Sequence, residues 1–129
     1  MTVAKDHSLT LSSLPKTWMI DIDGTVLPHN GHLSGTDALL PGVTELWARF
    51  GAQDRVILMT GRSEDHRAAT LAVLRDAGLR WDEALFGLPV GERILINDAK
   101  PSGLCTAHAV CVPRDAGLGG VTVTVDKSL

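Results

Sequence analysis

Aromatic residues and basic charge are both scarce in this sequence. Aromatics make up 4% of the 129 residues, with three Trp, two Phe and no Tyr. The core must therefore be aliphatic, and few rings are available to stack on single-stranded nucleic acid. The 12 Lys and Arg against 15 Asp and Glu give a net charge of −3 with His neutral. We therefore expect neither nucleic acid nor a membrane as a partner.

Long apolar runs and cysteines are also few. No run approaches the roughly 20 residues of a transmembrane helix, and residues 1–15 lack the apolar stretch of a signal peptide. Two cysteines give no disulfide framework, so we expect a cytoplasmic protein. Cys105, His108 and Cys111 resemble a metal site in their spacing. On a predicted strand, however, the cysteines would lie about 20 Å apart with His108 on the opposite face, which favours a plain strand.

The chain has the length and composition of one globular domain. Its hydrophobic share is 44%, and domains usually contain about 100–150 residues. Residues 1–15 mix charged residues with Ser and Thr, and we predict that they form a flexible leader. A single domain is predicted over residues 16–129.

Short apolar runs alternate with helical patterns through the predicted domain. Uninterrupted apolar runs are typical of parallel strands buried on both faces, whereas strict alternation indicates a half-buried edge strand. The uninterrupted runs lie at 18–20, 56–59 and 94–96, and a fourth candidate strand lies at 107–112. The alternating run lies at 121–125, and a short strand is predicted near 83–86.

Helices are predicted in the intervals between these strands. A second helix begins at Ser63, a good N-cap, and ends at Gly78. Asn30-Gly31 is a strong hairpin signal, so a small β-hairpin is predicted at 28–32. The first helix follows Pro41, and its apolar face consists of Val43, Leu46, Trp47 and Phe50.

This alternation predicts an α/β fold with a three-layer, Rossmann-like parallel sheet and a β-hairpin flap. Ligands bind outside the carboxyl ends of the strands in such sheets. Three of the predicted strands end in polar residues, namely Asp21 with Asp23, Thr60, and Asp98. We therefore expect a functional site at that edge of the sheet.

Two carboxylates, two positions apart, follow the first buried strand. Asp21 and Asp23 would be costly there unless a cation compensates them. Mg²⁺ takes one or two carboxylates together with water and phosphate oxygens, and Asp98 would supply a further carboxylate. Gly24 lets the chain turn sharply after the acids. The alternative is that the two aspartates only cap a turn.

The same residues carry a family resemblance. Asp21-Ile22-Asp23-Gly24-Thr25 resembles the first signature of the haloacid dehalogenase superfamily of phosphohydrolases, and Thr60-Gly61-Arg62 resembles the second. The stretch at 94–98 resembles the acidic fourth signature. The resemblance extends over residues 16–126 and implies a Rossmann-like fold. The stretches between the signatures are too short for an inserted cap domain, so a capless member is implied.

The resemblance also implies roles for the acids. Asp21 would be the nucleophile that becomes an aspartyl-phosphate. Asp23 would be the general acid for the leaving group and then the base that activates water. Mg²⁺ would be held by the carboxylates of Asp21 and Asp98 and by the backbone carbonyl of Asp23.

The second signature would bind the phosphoryl group through Thr60, Gly61 and Arg62. Two readings of Arg62 stay open, because its guanidinium would either bind a substrate anion or tie its loop to an acid. His29 and His32 on the predicted hairpin would contact substrate or remain solvated, and solvation is the commoner state of loop histidines.

The sequence departs from the family pattern at two positions. Leu88 stands where small members carry a Lys that pairs with the nucleophile and the phosphate. We predict that Lys100 replaces it, in preference to Arg62, Arg67 or Arg93, and that Lys100 is a catalytic residue. Asn97 stands where many relatives have a second acid.

The predicted function is therefore a Mg²⁺-dependent phosphatase acting on a small phosphorylated metabolite, with a neighbouring subunit completing the open pocket. Because Leu88 and Asn97 depart from the pattern, a non-catalytic module that binds a phosphorylated ligand or partner is the alternative. A transferase that uses the same first signature is a third, weaker hypothesis. The pairing of Asp21 with Asp23 favours catalysis, since binding alone does not need a general acid.

Overall fold

Parallel strands in two open sheets form the framework of the fold. The computed structural model describes residues 6–129. Its larger sheet contains β2 (Thr17–Asp21), β3 (Arg55–Met59) and β4 (Glu83–Leu85), in the order β2-β3-β4. Its smaller sheet pairs β1 (His7–Leu11) with β5 (Val121–Val125). The structure is thus α/β and compatible with a Rossmann-like fold. The predicted strands near 18–20, 56–59, 83–86 and 121–125 are confirmed.

The register of the larger sheet brings the ends of its strands together. Asp21, the last residue of β2, pairs with Met59, the last residue of β3. The main chain continues this pattern for one more residue, since the Ile22 N–H donates to the Met59 carbonyl at 2.9 Å and the Thr60 N–H donates to the Leu85 carbonyl at 2.9 Å. Asp21 and Thr60 therefore leave the sheet at the same edge, as predicted.

The core is aliphatic, as the composition predicts. Trp47 is 8% exposed and belongs to this core. Each fully buried aliphatic side chain contributes about 1.5–3 kcal/mol relative to exposure. The aliphatic side chains with no exposure are Ile22, Val26, Leu27, Val43, Val56, Leu58 and Leu74.

The helices are short and lie where the sequence patterns place two of them. Helix α2 (Val43–Trp47) follows Pro41, and it buries Val43, Leu46 and Trp47. Helix α3 (Arg67–Asp76) follows a 3₁₀ turn at Glu64–His66. A left-handed Gly78, at φ 87°, lies just beyond its end. None of the helices within residues 6–129 is long and apolar enough to cross a membrane.

The amino-terminal segment differs from the predicted flexible leader. Residues His7–Leu11 form β1, which pairs in parallel with β5 over its full length. Leu9 and Leu11 pack in or against the core, while Ser8 and Thr10 are exposed. This alternation, with a partner strand at the far end of the sequence, makes the segment part of the fold. Residues 1–5 of the predicted leader lie outside the described residues.

The predicted β-hairpin at 28–32 is not formed. The chain turns at Asn30, which is left-handed at φ 55°, and continues into helix α1 (Gly31–Ser34). The Gly31 N–H donates to the Pro28 carbonyl at 2.9 Å, which closes the turn. The Asn-Gly signal thus marks a turn correctly. No strand flanks it, because the residues after Gly31 do not alternate between polar and apolar.

The predicted strands at 94–96 and 107–112 are also not formed. Residues 90–112 run outside both sheets, and Val90, Ile94 and Ile96 are 93%, 80% and 90% exposed. Local bonds replace the sheet ladder here, since Asn97 Nδ2 donates to Thr106 Oγ1 at 3.0 Å and the Thr106 hydroxyl donates to the Asp98 carbonyl. Side chains that satisfy nearby backbone groups compete in this way with strand pairing. The single sheet of the prediction is therefore replaced by two separate sheets.

Candidate functional site

A tight loop after β2 places the two aspartates of the first signature. The Ile22 carbonyl accepts the N–H groups of Thr25, Val26 and Leu27 at 3.3, 3.0 and 3.0 Å. Gly24 is left-handed at φ 78°, a conformation that glycine adopts without strain. Its N–H donates to the Leu27 carbonyl at 2.7 Å. The sharp turn predicted at Gly24 is confirmed, and it puts Asp21 and Asp23 at the carboxyl edge of the sheet.

Both carboxylate oxygens of Asp23 accept hydrogen bonds from the second signature. The Arg62 Nε donates to Oδ1 at 2.8 Å, and the Thr60 hydroxyl donates to Oδ2 at 2.7 Å. The Thr60 oxygen in turn accepts the Arg62 N–H at 3.0 Å. The Asp23 side chain is 17% exposed. Asp23 is thus fixed to the Thr60-Gly61-Arg62 loop and does not face an open cleft.

Arg62 is buried and clamped by a second acid. Its guanidinium makes a two-pronged pair with Asp37, with Nη1–Oδ2 at 2.8 Å and Nη2–Oδ1 at 2.9 Å, and Nη1 also donates to the Thr70 hydroxyl at 3.0 Å. Its side chain is 1% exposed. Burial alone would lower the pKa of Arg62, but the hydrogen bonds that it donates to Asp37 and Asp23 outweigh burial and raise it. Of the two readings of Arg62, the structure favours the one in which it ties its loop to an acid.

Asp37 and Thr70 complete this network, and sequence reasoning missed both. Asp37 precedes α2 on an irregular segment, and no motif marks it. Thr70 is a buried polar residue on the inner face of α3, at 1% exposure. One signal of a buried polar network was present in the sequence. Thr70 is polar, but it lies where the periodicity of α3 places an apolar residue.

Asp21 has a different environment from Asp23. Its Oδ2 accepts a weak hydrogen bond from the Thr25 hydroxyl at 3.3 Å, and its Oδ1 lies 3.9 Å from Arg93 Nη2. Its side chain is 38% exposed. Burial raises the pKa of Asp21, and the attraction of Arg93 only partly offsets it. Asp21 is therefore a reachable carboxylate with few donors to stabilise its charge.

The cation beside Asp21 is Arg93 rather than Lys100. Lys100 is exposed, and it begins a turn in which the Gly103 N–H donates to its carbonyl at 2.8 Å. Within residues 6–129, Asp21 forms its one ion pair with Arg93. The expected contact of Lys100 with Asp21 is therefore absent, because the loop around Pro101 holds Lys100 out in solvent.

Asp98 and Asn97 do not join the site. Both are exposed and belong to the loop that Thr106 closes, as described above. The prediction that Asp98 ends a sheet strand beside Asp21 is wrong for this structure. The reason is that the strand at 94–96, which would have carried Asp98 to the edge, has no partner.

Backbone hydrogen bonds from the segment that carries Leu88 hold the Thr60-Gly61-Arg62 loop. The Leu88 N–H donates to the Thr60 carbonyl at 3.1 Å, and the Gly87 N–H donates to the Arg62 carbonyl at 2.7 Å. Gly61 is exposed, and its N–H has no acceptor within residues 6–129. Of the three predicted phosphate-binding groups, Gly61 thus offers a free donor, whereas the side chains of Thr60 and Arg62 are engaged with protein groups.

Two histidines pack together next to this network. The rings of His32 and His66 meet edge to face, with centroids 4.5 Å apart. Burial, Arg62 and His66 lower the pKa of His32. Its Nδ1 is shielded from solvent and has no hydrogen-bond partner among the described residues. His29, by contrast, is exposed, and its backbone N–H donates to Asp115 at 2.8 Å. His32 therefore lies beside the network.

The donors next to Asp21 suit Mg²⁺ in their chemistry. Asp21 offers a reachable carboxylate, and the Asp23 carbonyl receives no hydrogen bond within residues 6–129. Mg²⁺ takes hard oxygen donors of this kind together with water and phosphate oxygens. No cluster of three or more His, Cys, Asp or Glu side chains in that part of the chain is arranged to hold a metal. Cys105 and Cys111 are both exposed free thiols.

Comparisons with known proteins give no further guidance. No family model matches the sequence, and neither the curated proteins nor the solved structures include a match. What the site can do follows from its own geometry: a reachable carboxylate, a cation at 3.9 Å and a free backbone N–H at one edge of a parallel sheet.

Proposed function

We propose that this chain is a capless phosphohydrolase of the haloacid dehalogenase type. It would hydrolyse a small phosphorylated compound with Mg²⁺ and through an aspartyl-phosphate on Asp21. The observation that carries the proposal is the reachable Asp21 carboxylate, which lies beside Arg93 at the end of β2. Phosphoryl transfer depends mainly on positioning and on neutralising negative charge, and these residues supply both.

Asp21 would attack the phosphorus atom. The new bond joins an Asp21 carboxylate oxygen to phosphorus, and the bond to the leaving oxygen breaks with its electron pair. Arg93 would offset the charge of the carboxylate and the phosphate, which is the role the resemblance assigns to a Lys. The free Gly61 N–H would donate to a phosphate oxygen.

Mg²⁺ would be held by the Asp21 carboxylate and the Asp23 carbonyl. When bound, it supplies positive charge to the phosphate oxygens. Asp98 lies outside this set of ligands, so the proposed site functions without it. The substrate's own phosphate and water would complete the coordination, as is usual for Mg²⁺.

The experiment is a panel of phosphomonoesters assayed with and without Mg²⁺. We expect turnover that requires Mg²⁺ and falls by about 10²-fold or more in Asp21→Asn, since this change keeps the shape but removes the nucleophilic charge. Asp98→Ala is the matched control and should retain wild-type turnover. Turnover that survives in Asp21→Asn above a tenth of the wild-type rate would exclude the aspartyl-phosphate route.

Loss of turnover in Asp98→Ala would instead mean that residues 90–98 move and that Asp98 is a ligand.

A second measurement follows Mg²⁺ binding directly. Mg²⁺ should raise the Tm through Asp21, with roughly 2.7 kcal/mol expected at 100 times the Kd. The Tm of Asp21→Asn should not respond to Mg²⁺.

A non-catalytic module that binds a phosphorylated ligand is the second candidate. The observation that favours it is the engagement of both Asp23 oxygens, since Arg62 and Thr60 hold the carboxyl group in the protein instead of leaving it to a leaving group. Such a module would bind a phosphomonoester without releasing phosphate. Equilibrium binding without turnover in the same panel would support it.

The proposal also includes the layer arrangement of the fold, the cellular location and the oligomeric state. The helices α2 and α3 contribute Trp47 and Leu74 to a core shared with both sheets, which supports a three-layer arrangement. The two free cysteines accord with a cytoplasmic location. A second subunit would cover the open site, and the test for it is the oligomeric state in solution.

A further inference from the structure

The position of Asp23 bears on which substrates the proposed site can use. Cleavage of a phosphate ester leaves negative charge on the departing oxygen. A general acid that touches this oxygen removes the charge and typically contributes 10²–10⁴-fold to the rate. Alkoxides leave poorly without such help, whereas phenolates, enolates and carboxylates are weaker bases and leave without it.

Both oxygens of the Asp23 carboxyl group already accept hydrogen bonds from buried protein groups. Oδ1 is 2.8 Å from Arg62 Nε, and Oδ2 is 2.7 Å from the Thr60 hydroxyl. Both partners lie inside the fold, because Arg62 and Thr60 are buried at 4% and 0% exposure. The carboxyl group is therefore turned towards the protein.

Asp37 makes this arrangement rigid. Its two oxygens hold the two terminal nitrogens of Arg62 at 2.8 and 2.9 Å, which leaves Nε directed at Asp23. A planar guanidinium held at both ends cannot swing aside without breaking a buried, two-pronged pair. Thr70 adds a third bond to the same guanidinium at 3.0 Å. Release of Asp23 would thus require several buried groups to lose partners together.

The other candidate acid near the network is also poorly placed. His32 packs on His66, and its shielded Nδ1 lies beside buried groups rather than in an open cleft. Lys100 and Asp98 are held in the exposed loop. Around Asp21, the nearest charged partner is Arg93, whose guanidinium does not give up a proton at physiological pH.

We propose that the site is specific for phosphate esters and anhydrides whose leaving oxygen is a weak base, such as aryl, enol or acyl phosphates, and that it discriminates against alkyl phosphates. This inference rests on the proposed function. In the step, the Asp21 oxygen bonds to phosphorus while the bond from phosphorus to the leaving oxygen breaks. The leaving group departs with the electron pair as an oxyanion and takes its proton from water afterwards.

The test is a series of substituted phenyl phosphates, which share one size and differ in the pKa of the phenol released. We expect kcat/KM of the wild type to fall steeply as that pKa rises, with ethyl phosphate lower than 4-nitrophenyl phosphate by on the order of 10²–10⁴-fold. Acetyl phosphate should be hydrolysed well. A nearly flat series in the wild type would overturn the proposal, because it would show that a general acid assists departure.

Asp23→Asn separates a positioning role from acid catalysis. Asn keeps an oxygen that accepts from Arg62, so the loop stays in place. We expect kcat/KM of the variant to fall with the pKa of the released phenol as steeply as in the wild type. All values of kcat/KM should be lower by one common factor. A slope that becomes steeper in Asp23→Asn would identify Asp23 as the general acid and overturn the inference. If no phosphate in the series shows Mg²⁺-dependent and Asp21-dependent release, the proposed function itself fails.

Discussion

Two acids at opposite ends of the larger sheet have opposite surroundings. Asp54 precedes β3, and its oxygens accept the N–H of Lys16, the indole N–H of Trp18 and the N–H of Gly51, each at 2.9 Å. Asp21 ends β2, and its partners are one hydroxyl at 3.3 Å and one guanidinium at 3.9 Å. The Asp54 carboxylate thus has a full set of hydrogen-bond donors, whereas the Asp21 carboxylate has few.

The pKa shifts of the two acids follow from these partners. Burial alone would raise the pKa of Asp54, but the N–H groups of Lys16, Trp18 and Gly51 outweigh it and lower the pKa. Burial raises the pKa of Asp21, because its few donors do not compensate. Asp54 therefore stabilises the fold, whereas Asp21 costs stability. An acid kept at such a cost is typical of a functional position.

Removal of Asp54 should give the largest effect on stability. Asp54→Ala leaves three N–H donors without an acceptor, and we expect a loss of about 2 kcal/mol in the free energy of unfolding. Urea denaturation measures this loss, with Asp76→Ala as the control because its side chain is 80% exposed. The lowered pKa makes the Asp54 contribution fully present above pH 3.8, the ordinary value, and lost as the pH falls further. Equal losses in both variants would contradict the structural role.

The next effect concerns the cation at the Asp21 end. Arg93→Ala should lower kcat/KM for an aryl phosphate roughly tenfold, because a charge that is 35% exposed and lies next to the phosphate is removed. Lys100→Ala should leave kcat/KM unchanged, since Lys100 is held in solvent. Steady-state kinetics on the two variants shows whether Arg93 or Lys100 is the cation that acts beside Asp21. The reverse pattern would restore Lys100 to the site predicted from sequence.

Two glycines extend the comparison to the backbone. Gly24, beside Asp23, is left-handed at φ 78°, and a Cβ there would lie 3.2 Å from Arg114 Cγ. We expect Gly24→Ala to cost about 1 kcal/mol, because alanine avoids the left-handed region. Gly51, next to Asp54, is not left-handed, although a Cβ there would lie 3.2 Å from Asp54 Oδ1. Chemical denaturation should show a smaller loss for Gly51→Ala, and equal losses would rule out backbone strain as the cause.

The smallest expected change is a gain in stability. The raised pKa of Asp21 means that its ionised form destabilises the folded state above pH 3.8, the ordinary value. Asp21→Asn removes that charge, so its Tm should exceed that of the wild type at pH 7 without Mg²⁺. The difference should disappear as the pH falls below 3.8, where both side chains are neutral. A Tm that is lower at pH 7 than in the wild type would contradict this assignment.

Much of the larger sheet could be predicted because its signals are local. The apolar runs that became β2 and β3, and the polar residues that follow them, are visible in a single stretch of sequence. Their pairing then needs only the general rule that parallel strands end at one edge. Asp21, Asp23 and Thr60 were placed correctly at that edge for this reason.

The other half of the predicted site depended on information that is not local. A run of three apolar residues at 94–96 forms a strand only where a sheet edge receives it. Here the bonds of Asn97 and Thr106 hold the chain elsewhere. Once that strand is absent, Asp98 and Lys100 leave the site together. Asp37 was missed for a related reason, since its importance arises only from the guanidinium that folding brings to it.

The pairing of β1 with β5 also sets the order of events during folding. Ser8 and Thr122 are in contact across 114 positions of sequence. At the usual rates of synthesis, β1 waits on the order of 10 s for its partner to leave the ribosome. Non-local parallel pairing of this kind is also intrinsically slow, because the loop must close before any contact is gained. During that interval the β1 edge is available to other chains. The risk of misassociation therefore depends on the rate of translation and not on the stability of the finished fold.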